Sequence, residues 1–203
     1  LDVARNGNGF KAETVVENDV PYAFIGVRPC ELAAIRIQDK VFGYDPENKS
    51  AACADPGYCA RRSKVLLVAV NCSRAAKTCF CESMGTGPQA KKDQGYDLLL
   101  TEILDKEKHF FVMESGSKRG SMVLDVLPKR KATDEDLRAE ENALARARRQ
   151  ISKAMPPDVD KLLKKNLEHP RWEEVAKRCL TCANCTMACP TCFCNTVEEA
   201  TDL

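Results

Sequence analysis

Twelve of the 203 residues are cysteine, and most of them stand at spacings that suit metal chemistry. Cys179, Cys182, Cys185 and Cys189 lie in "CLTCANCTMACP", a C-x2-C-x2-C-x3-C-P run. Three thiols two residues apart on a tight loop can converge on three irons of one 4Fe–4S cube. The fourth thiol, three residues later, is expected to start a helix and point towards a neighbouring cluster. Proline after it can pre-set a helical turn without losing a needed donor. Backbone N–H groups of such a loop can bond to the sulfurs and tune their potential.

A second pattern is the word "TCFC", which occurs at Thr78–Cys81 and again at Thr191–Cys194. The first copy belongs to "VNCSRAAKTCFCESMGTGP", which puts Cys72, Cys79 and Cys81 in one loop. Cys30 follows another apolar run, in "GVRPCE". Four thiols at one rim are enough for a second 4Fe–4S cluster. The alternative for any of them is an inert buried thiol, a common state of free cysteine. Gly85 and Gly87, in "GTGP", lack the spacing of a phosphate loop. They read as a turn that brings backbone close to a cluster. Cys53 and Cys59, around an Asp-Pro-Gly turn, match no ligand pattern and read as structural. His109 and His169 read the same way, and no nucleophile–base constellation is visible.

Zinc can use C-x2-C pairs, but usually two separated ones, which makes three close thiols followed by C-P the less natural zinc site. Disulfides belong mainly to short domains without a sufficient core. The spacing of the last run is that of bacterial-type ferredoxins, whose two-cluster form needs a second cysteine run. No such run follows Cys194. The expectation is therefore the first half of a dicluster module, or a site closed by Cys192 or Cys194.

The elements that must position these thiols are legible from apolar patterning. Ala23–Val27 reads as a strand and the stretch after Pro29 as a helix, with apolar residues at Leu32, Ile35, Ile37 and Val41. Lys64–Val70 reads as a strand buried on both faces. Tyr96–Ile103 and His109–Ser115 read as further strands. If the first two strands are parallel neighbours, Cys30 and Cys72 emerge together at carboxyl ends, where α/β folds place their sites. Asp134 is expected to cap a helix running to Met155, with Leu137, Leu144, Ile151 and Met155 as its apolar stripe. Another helical segment spans Asp158–Asn166. The first 20 residues read as turn-rich.

The resulting fold class is an α/β N-terminal domain (1–128), a helical linker (129–172) and a truncated ferredoxin-like iron–sulfur module (173–203). A chain that is 44% hydrophobic and 30% charged can bury a core. A net charge of +1 gives no push towards nucleic acid or membrane surface. The longest apolar run, "VLLVAV", is far below the roughly 20 residues of a spanning helix.

The phrases "GVRPCELAAIRIQDKVF", "VNC", "TCFCESMGTGP", "GYDLLLTE" and "RCLTCANCTMACPTCFC" together resemble one family. It is the β-subunit family of cytoplasmic NAD(P)-linked nickel–iron hydrogenases (sulfhydrogenases), which also contains the A subunit of anaerobic sulfite reductase. The resemblance covers nearly the whole chain. It implies a cytoplasmic, non-catalytic electron-transfer subunit with 4Fe–4S clusters. Its implied partners are a flavin- and NAD(P)-binding subunit, which carries the flavin, and a hydrogenase or sulfite reductase subunit. Phe80 and Phe193 would then serve as apolar lids limiting solvent at the clusters. The readings that compete are a zinc-stabilised interaction scaffold and a cluster acting directly on substrate.

Overall fold

The computed structural model of the chain describes residues 2–7, 9–13, 20–45, 54–104 and 108–193. Cys53 and Cys194 lie outside these residues. The N-terminal stretch, expected as turns, forms an antiparallel hairpin of β1 (Asp2–Asn6) and β2 (Gly9–Glu13). The two strands pair from Asp2 with Glu13 to Asn6 with Gly9.

The main sheet has four strands in sequential order: β3 (Ala23–Val27), β4 (Leu66–Val70), β5 (Leu98–Leu104) and β6 (His109–Ser115). β3, β4 and β5 are parallel, and β6 closes the edge antiparallel to β5. Connections between parallel strands must cross over one face. Helix α1 (Pro29–Val41) does this after β3 and is followed by α2 (Pro56–Arg62). Proline at the first helical position of each suits an N–H that would have no partner there. Asp55 caps α2, accepting the Tyr58 N–H at 2.6 Å, so the Asp-Pro-Gly stretch read as a turn opens a helix.

The core lies between α1 and the sheet, where Leu32 meets Val27, Val65, Leu67, Ala69, Ala90, Tyr96 and Leu99. Asp97, almost fully buried, ties the sheet to the segment after β6. It accepts the Leu67 N–H at 2.8 Å, the Ser117 hydroxyl at 2.5 Å and the Arg119 guanidinium at 3.3 Å. Each bond satisfies a carboxylate that would be costly to bury bare.

Beyond β6 come α3 (Lys118–Val126) and α4 (Asp134–Gln150). The cap of α4 is Thr133, one residue earlier than expected, and the helix ends at Gln150, before Met155. Its buried face is Ala143, Leu144 and Ala147, with Asp136 at its start. Leu137 is 48% exposed. Leu144 of the expected stripe is in this face, but Ala143 and Ala147 make up the rest of it where α4 packs against β5 and β6, and Leu137 is left outside. Short helices α5 (Val159–Lys165), α6 (Arg171–Ala176) and α7 (Asn184–Ala188) complete the described chain. Among the described residues, no helix is long and apolar enough to cross a membrane.

Candidate metal centre

Two strand ends and one loop build the rim. In β3 the register against β4 shifts between Ile25 and Val27, at Gly26 with φ +91°. A bulge of this kind bends a strand and re-aims its end, and only glycine takes that backbone angle readily. Arg28, Pro29 and Cys30 come next, so that Cys30 sits in the first turn of α1. β4 is the parallel neighbour of β3, and Cys72 comes two residues after its end. The loop from Cys72 returns upon itself, with the Cys72 N–H donating to the Pro88 carbonyl at 3.0 Å.

Within that loop Gly87 lies close to both Cys81 and the start of α1. A Cβ placed on Gly87 would lie 3.0 Å from the Cys81 sulfur and 3.6 Å from Pro29 Cβ. Cys30, Cys72, Cys79 and Cys81 are all within electrostatic reach of one another. Burial pushes the Cys30, Cys72 and Cys81 thiols up from their ordinary value. For Cys72 the positive charge of the Arg28 guanidinium acts in the opposite direction. For Cys30 the backbone N–H groups of the first helical turn do so. The donor set is four thiols, partly desolvated, with N–H donors aimed at them. That is the chemistry an iron–sulfur cube needs in its ligands and their surroundings. Among the described residues no three His, Cys, Asp or Glu side chains close around a position for one metal ion.

Sequence reasoning missed the residues that hold this loop in place. Asn71 is 1% exposed. Its amide donates to the Thr101 hydroxyl at 2.9 Å, and its carbonyl accepts the Ala90 N–H at 2.8 Å. Thr101 in turn donates to Glu140 of α4 at 2.6 Å. The end of α4 grips the loop directly. Gln150 accepts the Ala75 N–H at 2.8 Å, and Arg148 donates to Gln89 at 2.7 Å. Past the helix, the Met155 N–H donates to the Ser83 hydroxyl at 2.9 Å. The segment expected to be a linker is therefore a brace on the cysteine loop. A polar residue directly after an apolar strand, as in "AVNC", was the available signal.

The C-terminal run has a different character. Cys179, Cys182 and Cys185 are exposed. Thr181 and Ala183 take left-handed backbone angles, φ +51° and +54°, uncommon for residues with a Cβ. They wind the loop tightly, and the Thr181 N–H points to the Cys179 sulfur at 3.4 Å. Cys185 lies in α7, whereas Cys189 comes after the end of that helix in extended backbone. Cys189 thus ends a helix instead of starting one, and Pro190 stands outside it. Cys189 and the Thr191 hydroxyl are 3.1 Å apart. That hydroxyl, with the Cys192 thiol, lowers the Cys189 pKa to about 7. Cys192 is raised, by Cys189 first and by burial second.

The other candidates fall elsewhere. Cys59 is on α2, its sulfur 3.8 Å from the Phe42 carbonyl. His109 pairs with Glu102 at 3.0 Å, and His169 accepts the Arg171 N–H at 3.1 Å. Gly85 takes φ +67°, beside the Lys91 ammonium. The Phe193 ring is taken up by Phe42, at a centroid distance of 4.5 Å.

No family profile matches the chain, and no solved structure matches it. Among curated proteins, sulfhydrogenase 2 subunit beta of Pyrococcus furiosus is 30% identical over 189 residues. The match takes in 89% of this chain and 51% of that protein. The chain spans about half the length of this relative, and over that half it is similar to a sulfhydrogenase β subunit almost from end to end.

Proposed function

We infer that the chain is an iron–sulfur electron-transfer subunit of an oxidoreductase complex, of the hydrogenase β-subunit kind. The observation that carries this reading is the rim itself: four thiols from two parallel strand ends and their loop, in a relative of a sulfhydrogenase subunit. A 4Fe–4S cluster held there would supply one-electron steps. Cys30, Cys72, Cys79 and Cys81 would hold it, while Arg28 and the first-turn N–H groups of α1 stabilise negative charge on the sulfurs. Gly87 leaves room for the Cys81 thiol, and Gly85 turns the backbone towards it.

A second cluster is assigned to the C-terminal ferredoxin-like run. Cys179, Cys182 and Cys185 are its ligands, with the remaining position supplied by Cys189, Cys192, Cys194 or a further segment. Electrons would pass between a flavin- and NAD(P)-binding partner and a hydrogenase or sulfite reductase module, in the cytoplasm. The chain has no substrate chemistry of its own in this reading.

Iron and acid-labile sulfide counted per chain after anaerobic purification test it. The expected result is a brown protein with broad absorption near 400 nm, about four irons at the rim, and more in the C-terminal run. Colourless, zinc-loaded protein would replace the reading with a zinc-stabilised scaffold.

A further inference from the structure

Phe42 stands just past the C-terminal end of α1, and its ring stacks on Tyr58 of α2 with centroids 4.5 Å apart and planes 22° apart. Tyr44 meets Tyr58 edge-on at 6.5 Å. This corner is rigidly clipped together. Asp39 accepts the Tyr58 hydroxyl at 2.7 Å and two bonds from Arg62 at 3.0 and 3.2 Å. Both members of the Asp39–Arg62 pair are largely shielded from solvent. The result is an aromatic shelf whose outer ring, Phe42, faces Phe193 of the second "TCFC" at 4.5 Å and a tilt of 49°. Tilted rings at this separation are a favourable aromatic geometry.

Aside from this contact, the cysteine run is nearly all surface, with Leu180 and Met187 at 85% and 71% exposure. Its own short helix offers no apolar core. The single ring that reaches the aromatic corner is therefore a large share of what fixes the run's position.

We propose that the Phe42–Tyr58 shelf is the intrachain docking site for the second cysteine run, with Phe193 as its anchor and α1 as the spacer between the two thiol sites. Cys30 opens α1 and Phe42 comes directly after its last residue. Twelve residues at 1.5 Å each set the two ends about 18 Å apart. A straight helix keeps that separation fixed, where a loop would let it vary. This deepens the electron-relay reading, since it sets the distance between the two sites, but the docking contact does not depend on any cluster.

Amide hydrogen exchange on the full chain tests the proposal, with and without iron. Phe193→Ala removes the anchor, and Phe193→Tyr keeps an aromatic ring. An aromatic pair of ordinary strength corresponds to about 2- to 10-fold in local opening. Phe193→Ala is expected to speed exchange by that factor at the Cys189 and Cys192 amides and, across the contact, at Phe42 and Tyr44. These amides all have hydrogen-bonded acceptors whose opening can be read. β5 should not change, and Phe193→Tyr should restore the slow rates. At the Cys189 and Cys192 amides, where the Phe42–Tyr58 stack has no direct effect, combining Phe193→Ala with Phe42→Leu should add nothing further. Acceleration confined to the mutated loop, no acceleration, or a fully additive double variant would each overturn the docking site. Wild-type iron content with lost docking, or intact docking without iron, separates a failure here from a failure of the electron-transfer reading.

Discussion

A methyl group at position 87 would meet the Cys81 sulfur at 3.0 Å and its Cβ at 3.3 Å. Pro29 Cβ of α1 would lie 3.6 Å from the same methyl, which leaves the methyl little room to move away from Cys81. Gly87→Ala is therefore expected to displace Cys81 from the rim. Overpacking of this kind costs about 1–3 kcal/mol, and the sensitive readout is the rim's iron content, which should fall while that of the C-terminal run holds. A second residue-scale prediction concerns Asp136. The Arg130 guanidinium, at 2.5 and 2.9 Å, together with Thr133, holds its carboxyl well below the usual carboxylate range. A depressed folded pKa contributes stability that is fully present above the unfolded value of about 3.9 and declines as pH falls towards the folded one. The melting temperatures of the parent chain and Asp136→Asn should thus differ at pH 7 and converge on acidification towards pH 2. A constant gap across that range would show that the carboxylate's charge is not what stabilises the α4 start.

The brace is a property of elements. β4 and β5 hold Asn71 and Thr101 side by side, α4 supplies Glu140, and the loop contributes Ala90. Asn71→Ala leaves the Ala90 N–H buried without its acceptor, a loss of about 1–3 kcal/mol. Urea unfolding of the iron-free protein should register it as a lower midpoint at unchanged slope. The grip at the far end of α4 is more exposed and weaker. Gln150→Ala should leave global stability nearly unaltered and speed exchange at the Ala75 amide several-fold, since a typical net hydrogen bond is about 0.5–1.5 kcal/mol. If Ala75 exchanges at the same rate in both proteins, the loop does not rely on α4. The brace also makes sense of the small-residue seam at Ala143 and Ala147. A helix that seats close to the sheet can reach the loop with side chains of ordinary length.

At the scale of the molecule, the thiols form two groups in unlike surroundings. The rim is built from sheet ends, backed by the core and braced by α4. The C-terminal run is exposed, with the Phe193–Phe42 ring contact at its end. Metal ligation commonly provides the folding energy of such segments. Cys79→Ser should deplete iron at the rim alone, and Cys182→Ser iron in the run alone. Distant sites add independently, so the doubly substituted protein should lose the sum. A spectrum of paramagnetic centres that changes as a whole on either substitution would mean one shared centre and would end the two-site reading.

The amino-acid sequence by itself picked out the candidate thiols and much of the local structure. Thiol spacing within eleven residues marks the C-terminal run, because a short loop permits few arrangements. Apolar runs bounded by proline and polar residues mark β3, α1 and β4, because strand and helix hydrogen bonding repeats within a few residues. Only the tertiary structure decided what meets across long stretches of chain. That Cys30 joins Cys72 depends on β3 and β4 being parallel neighbours and on the bulge at Gly26. That α4 buries Ala143 and Ala147 beside Leu144 and leaves Leu137 exposed depends on where the sheet lies. That Phe193 meets Phe42 depends on a corner made by α1 and α2. Periodicity reports which face of an element is apolar and is silent on which surface will cover it. The covering surface is set by strand order and close packing, and these are properties of the whole chain at once.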